Sequence, residues 1–314
     1  DDLMARRSMI WITAQLRVIL IQITRVSSMI KQTEKIGNAT LYCADCNAVV
    51  QSLVDKSIDI VVSSPPYNIG RNYGMYQDRK TNYLEWQISF WNEVCKKMDN
   101  KGHVFLNIQP SRQNPLWCYE LVSQLDWKVQ NTFIWNKRVE IDGYVRGQGT
   151  TSKSKKYICN GWEYVFHLTK NGDTEVSQKD SGVGYHPQWA EENAKRFGKT
   201  WRPTVNSWHI PYETIGHGSI SKELMKGKHP AIFPKKLVEK CIKVTGLKNG
   251  VVLDPFVGTG TTCLVAEEMG LNSIGIDIDC DYVTFATKKL QEMIDDSTPI
   301  ETRQRGFGDS QEVL

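Results

Sequence analysis

Residues 250–270 read GVVLDPFVGTGTTCLVAEEMG. The run VVLD is short, apolar and β-branched, as a buried strand requires. PFVGTGTT follows as a loop, and CLVAEEMG has the composition of a helix. Gly258 and Gly260 let the backbone turn tightly and approach a ligand without a side chain in the way. Thr261 and Thr262 fall at the helix start, where free N–H groups and the dipole favour a carboxylate or phosphate. Next comes NSIGIDID, a second strand that reaches Asp277. An acidic residue there can accept hydrogen bonds from ribose hydroxyls. Strand, glycine loop, helix, strand and acid together predict an adenosine-cofactor site in an open α/β sheet.

The same rhythm holds upstream. ATLYCADC is a strand ending at Asp45, and AVVQSLVDKSI has helical spacing. DIVVSSPPY is a strand and loop. NYLEWQISFWNEVCKKM places apolar residues at helical intervals, GHVFLNIQP is a strand, LWCYELVSQL a helix and WKVQNTFIWNK a strand. Further on, FPKKLVEKCIKVTG is a helix closed by Gly246, and DYVTFATKKLQEM is another helix. Alternation of this kind predicts a Rossmann-like, mixed but mostly parallel sheet with helices on both faces.

The rhythm fails over residues 139–222. Residues 131–230 carry 15 Lys and Arg against 10 Asp and Glu, a net of +5, where the whole chain carries +4. The stretch also holds Trp162, Trp189, Trp201 and Trp208. A basic, aromatic-rich insert can grip a polyanion, and it can equally be an accessory subdomain with its own core.

Several function classes are excluded. The glycine loop lacks the third glycine of a dinucleotide fingerprint and the Gly-Lys-Ser/Thr of a phosphate-binding loop. Of the eight cysteines, only Cys43 and Cys46 have metal-like spacing, and no second pair completes a four-ligand site. They read as a strand-end cysteine and a turn cysteine. Scattered, unpaired cysteines fit a reducing intracellular compartment, whether bacterial cytoplasm or nucleus. Residues 1–28 are apolar with basic punctuation, and Arg17 and Arg25 leave no uncharged run long enough to span a bilayer. That extension is expected to pack as an extra helix or strand on the main body or on a second copy in a homodimer, with organellar targeting the lesser reading. The first residue is Asp, as in a fragment or a processed chain, and the extension together with the polar tail suggests a piece of a longer, fused protein.

Three motifs then acquire a joint meaning: SPPY at 64–67, HPAIFP at 229–234 and DPFVGTGTT at 254–262. Together they resemble the methyltransferases that act on exocyclic amines of DNA bases. The resemblance covers about Ile36 to Met293. The order, with the catalytic loop before the insert and the cofactor loop after it, is similar to the permuted β class. The resemblance implies a class I methyltransferase fold and S-adenosylmethionine as cofactor, with no metal. It divides the chain into an extension (1–28), a catalytic half (29–138), a target-recognition region (139–222), a cofactor-binding half (223–295) and a polar tail (296–314).

The resemblance implies roles as well. Ser64 Oγ and the Pro65 carbonyl would accept the amine hydrogens, Pro65 and Pro66 would stiffen the loop, and Tyr67 would stack on a base flipped out of the duplex. Asp45, His229, Phe233, Pro234, Asp254, Phe256, Gly258, Gly260, Thr261, Thr262 and Asp277 would line the cofactor. Trp135 and Lys137, in FIWNK, could touch the base or its phosphates, while Asp45 has an alternative as a turn residue and Trp135 as core. Ser before Pro-Pro-Tyr and the HPAxFP form are more typical of cytosine-N4 enzymes in that family, with adenine-N6 the runner-up. RNA or protein-amide methylation and a catalytically silent nucleic-acid-binding module rank lower. Methylation of cytosine carbon 5 needs the Pro-Cys nucleophile of its own family, and this chain has no Pro-Cys.

Overall fold

The computed structural model describes residues 29–68, 72–73, 76–77, 81–110, 114–142, 144–146, 155–156, 158, 160–211 and 233–297. The extension 1–28, the tail beyond 297 and His229 lie outside them.

Nine strands form one sheet. In chain order they are β1 (Ile30–Ile36), β2 (Ala39–Ala44), β3 (Ile58–Ser63), β4 (Met98–Ile108), β5 (Lys128–Asn136), β6 (Trp162–Thr169), β7 (Ser207–His209), β8 (Val251–Asp254) and β9 (Asn272–Asp277). Their spatial order is β1-β2-β9-β8-β3-β4-β6-β5-β7. Strands β2, β9, β8, β3 and β4 run parallel, β6 is antiparallel to both its neighbours, β7 is parallel to β5, and β1 is antiparallel to β2. The expected mixed, mostly parallel sheet is therefore present.

Period-two burial builds the two layers. On β4, Val104, Leu106 and Ile108 enter one core while Phe105 enters the other. The first core is covered by α1 (Cys46–Ser52), α2 (Tyr83–Lys97) and α3 (Trp117–Val122), through Val49, Val50, Phe90, Trp91, Val94 and Leu121. After α4 (Ala190–Phe197), the opposite face is covered by α5 (Lys235–Thr245) and α6 (Thr261–Glu268), through Leu237, Val238, Ile242 and Val265. A third cluster joins α7 (Cys280–Ser297) to β2 through Leu41, Val283 and Ala286. Each such side chain, fully buried, is worth about 2 kcal/mol of transfer free energy.

The stretch read as one irregular insert is not continuous. Trp162–Thr169 forms β6, the strand between β4 and β5, with Phe166 and Leu168 fully buried. Ser207–His209 adds the edge strand β7, where Trp208 stacks on Phe133 at 4.3 Å between ring centroids. Between them, a small unit carries the two-stranded ladder Val183–Gly184 with Trp201–Arg202 and the helix α4, which buries none of its residues.

The cysteine expectation is corrected in two places. Cys43 and Cys280 form a disulfide. The end of β2 and the start of α7 lie side by side, with Cα atoms 5.1 Å apart, the usual spacing for such a bond. Cys46 opens α1 rather than sitting in a turn. It keeps a reduced thiol, as do the buried Cys95, Cys118, Cys241 and Cys263. No helix among the described residues is long and apolar enough to cross a membrane.

Candidate active site

From β8 the chain moves one way along the sheet, to β9. From β3 it moves the other way, to β4. The adjacent carboxyl ends of β8 and β3 thus form a topological switch point, where open α/β sheets leave a crevice for ligands. DPFVGTGTT leaves the end of β8 and SPPY leaves the end of β3.

One buried carboxylate ties the two loops. Asp254, 4% exposed, accepts from Ser63 Oγ at 2.6 Å and Phe256 N at 3.1 Å through Oδ1, and from Thr262 Oγ1 at 2.6 Å through Oδ2. Burial pushes its carboxyl up, and these three donors pull it back. Asp254 and Thr262, both expected to line a cofactor, have their side chains engaged inside the fold. Phe256 packs on α2, with its ring 5.3 Å from that of Phe90 and 6.2 Å from those of Trp86 and Trp91.

Gly258 and Gly260 both have left-handed backbone, at φ +49° and +81°. Gly260 has a second constraint: a Cβ there would stand 2.6 Å from Ala286 Cβ on α7. Gly258 N donates to Asp277 Oδ2 at 3.1 Å, and Asp279 N donates to Asp277 Oδ1 at 2.9 Å. Burial nevertheless pushes the Asp277 carboxyl up to about 7. Asp45, exposed, caps α1 by accepting from Asn47 N at 2.7 Å. Pro234 caps α5, and Phe233 packs edge-on to Trp135 at 6.4 Å. The loop fits a nucleoside-bearing ligand. It has an open left-handed glycine, an acid at the next strand end, and Thr261 Oγ1 buried without a hydrogen-bond partner.

The SPPY loop is held from behind. Tyr83 Oη donates to the Pro66 carbonyl, Gln87 Nε2 donates to Tyr83 Oη at 3.0 Å, and Trp91 Nε1 donates to Gln87 Oε1 at 2.6 Å. These steps climb α2 at intervals of four residues, so one helix face aims the loop. Ser64 Oγ lies 2.8 Å from Tyr67 Oη. Tyr67 Oη also lies 2.9 Å from Glu163 Oε2 and 3.1 Å from Asn107 Oδ1. Glu163 is paired in turn with Lys137 at 2.5 Å.

Two expectations resolve here. Trp135 is core, 2% exposed, with its indole N–H on the Ile210 carbonyl at 2.9 Å. Lys137, offered as a contact to base or phosphate, is paired with Glu163 where β5 and β6 lie side by side. Sequence reasoning missed Tyr83, Gln87, Asn107 and Glu163. The 4-residue spacing of the first two along a helix was an available signal. For Glu163 there was none, since its strand was hidden in the irregular stretch.

The chain belongs to the DNA methylase family, whose model matches residues 58–288. It is a DNA methyltransferase of the kind that draws its methyl group from S-adenosylmethionine. Similar proteins include Type II methyltransferases. It is 28% identical to the methyltransferase M.ScaI of Streptomyces caespitosus, over 81% of this chain and 82% of that one. It is 26% identical to M1.MboII of Moraxella bovis, over 79% and 95%. In three dimensions it is similar to the cytosine-N4-specific PvuII DNA methyltransferase, with a TM-score of 0.59 at 19% identity over 84% and 95% of the two chains. It is also similar to a DNA modification methylase from Thermus thermophilus complexed with S-adenosyl-L-methionine, with a TM-score of 0.53 at 22% identity over 80% and 93%.

Proposed function

We propose that this enzyme methylates the exocyclic N4 amine of a cytosine flipped out of duplex DNA. The observation that carries the reading is Ser64. Its hydroxyl stands at the carboxyl end of β3, and the neighbouring Ser63 is bonded to the carboxylate at the root of the glycine loop. Bound S-adenosylmethionine supplies an electrophilic methyl group on a sulfonium. Gly258, Gly260, Thr261 and Asp277 would hold its nucleoside end, Asp45 its base, and the segment from His229 to Pro234 its amino-acid end.

The rest is done by the chain's own groups. A cytosine amine is a poor nucleophile because its lone pair is spread into the ring. Ser64 Oγ and the Pro65 carbonyl accept its two hydrogens and favour the tetrahedral nitrogen that attack requires. Pro65 and Pro66 fix φ, and Tyr83 braces the Pro66 carbonyl, so the acceptors are in place before the base arrives. Tyr67, tethered through its hydroxyl, offers its ring to the flipped base.

The unit around α4 is the DNA-recognition element. It exposes Trp189 and Phe197, and it sets Lys199 over the Trp201 ring at 4.4 Å and Arg202 over Tyr185 at 6.0 Å. Cations and aromatic faces in one place suit phosphates and unstacked bases. Nucleoside mass spectrometry of duplex DNA treated with enzyme and cofactor tests the reaction. N4-methylcytosine is expected. N6-methyladenine alone would move the target to adenine, and a Ser64→Ala enzyme with undiminished turnover would remove Ser64 from the chemistry.

A further inference from the structure

A serine is an ambiguous acceptor. Its hydroxyl can point its proton at an incoming amine as readily as a lone pair. A serine assigned to accept from the amine therefore needs its own proton engaged elsewhere. The surroundings of Tyr67 do this. Asn107 Nδ2 is committed to the Tyr164 carbonyl at 2.9 Å, so Asn107 presents its amide oxygen to Tyr67 Oη at 3.1 Å, beside its main-chain carbonyl at 3.3 Å. Glu163 adds a carboxylate oxygen at 2.9 Å. These three neighbours accept, and the carboxylate paired with Lys137 is the strongest of them. The phenol proton therefore goes to Glu163. Tyr67 Oη then accepts the Ser64 proton across 2.8 Å.

We propose that Glu163, oriented by Lys137, is a positioning residue that polarises the Tyr67–Ser64 pair, so that Ser64 meets the target amine as an acceptor only. The inference rests on the reading of Ser64 as the amine acceptor. It gives Glu163, 6% exposed and paired with Lys137 at 2.5 Å, a task beyond the ion pair itself.

The chemistry makes a sharp test. In Glu163→Gln the shape is kept, but the Lys137 ammonium can only donate, so it selects the amide oxygen. The amide NH2 then faces Tyr67 and competes with Ser64 for the phenol oxygen, the phenol proton is left to the neutral Asn107 oxygens, and the Ser64 proton is released towards the base. Turnover falls about 10- to 100-fold, the worth of one hydrogen bond involving a charge, while KM for DNA and cofactor affinity are unchanged. Tyr67→Phe cuts the same chain, so adding Glu163→Gln to it costs nothing further. In Ser64→Asp the acceptor carries no proton, so Glu163→Gln there costs less than about threefold.

Full turnover in Glu163→Gln, with Ser64→Ala impaired, overturns the inference and leaves the proposed reaction standing. Multiplicative losses in Tyr67→Phe with Glu163→Gln mark Glu163 as merely structural. So does a Glu163→Gln loss that is equal in the wild-type and Ser64→Asp backgrounds. An active Ser64→Ala enzyme instead fails the underlying reading. Circular dichroism and cofactor titration confirm that each variant is folded.

Discussion

Asp277 titrates where the enzyme would be assayed. Burial raises its carboxyl to about 7, and ribose hydroxyls bind best to the ionised form. Cofactor affinity should therefore fall as pH drops below about 7 and level off at lower pH, where the carboxyl is protonated in both free and bound enzyme. Asp277→Asn should bind more weakly at pH ~8 and show a flat profile, as isothermal titration from about pH 5.5 to about 8.5 would report. Asp254 carries a different prediction. Asp254→Ala strips the acceptor from two buried hydroxyls and one N–H. With each unsatisfied group costing about 1–3 kcal/mol, a loss of roughly 3 kcal/mol or more is expected in urea unfolding. The motif residues themselves were legible, because glycines and prolines at loop ends announce their backbone geometry. Which acid faces inward was not. Asp254 and Asp277 both end strands, and only the Ser63 and Thr262 hydroxyls around the first reveal it as a strut.

Among the elements, β6 separates what sequence reading could reach from what it could not. Strands and helices of the alternating halves were legible through their periodicity. WEYVFHLT has strand composition as well, but Gly-, Lys- and Ser-rich segments surround it, and averaging over them hid it. Its partners lie some 60 residues earlier on β4 and about 30 earlier on β5, so no local pattern announces the pairing. The outcome divides the stretch experimentally. Phe166→Ala, in the core, should cost about 3–5 kcal/mol of stability. Trp189→Ala, 52% exposed, should change stability by less than about 0.5 kcal/mol. Lys199→Ala with Arg202→Ala should weaken DNA binding and lower the salt slope by about two counterions, with cofactor affinity unchanged, in fluorescence anisotropy over a salt series.

The whole molecule also senses acid through its far end. His103 Nδ1 and His167 Nε2 meet at 2.9 Å in the core, with Asn131 on the other side of His167 at 3.0 Å. Burial lowers their pKa to about 4 and about 3. Both folded values lie below the ordinary 6.5, so the unfolded chain binds these protons first. Their contribution to stability is present above about 6.5 and is lost as pH falls towards 4. Asp277 acts oppositely, since a raised carboxyl favours the folded state as pH falls from about 7 to about 4. Two histidines outweigh one carboxyl, so this trio destabilises the protein on acidification. His103→Gln should flatten the fall in unfolding midpoint between about pH 6.5 and about 4, and an unchanged slope would refute the assignment.

The bond between Cys43 and Cys280 spans 237 positions of the chain. In covalent terms the catalytic domain is a closed ring, with β1 and the body of α7 as its two free arms. A single cut within the ring opens it without releasing a piece. A protease that nicks the unit around α4 should give a product that runs as one band on a denaturing gel without thiol and as two bands with it. Two fragments under both conditions would mean that the ring is open. Closed, the ring keeps the SPPY and glycine loops on one molecule even after the recognition unit has been severed.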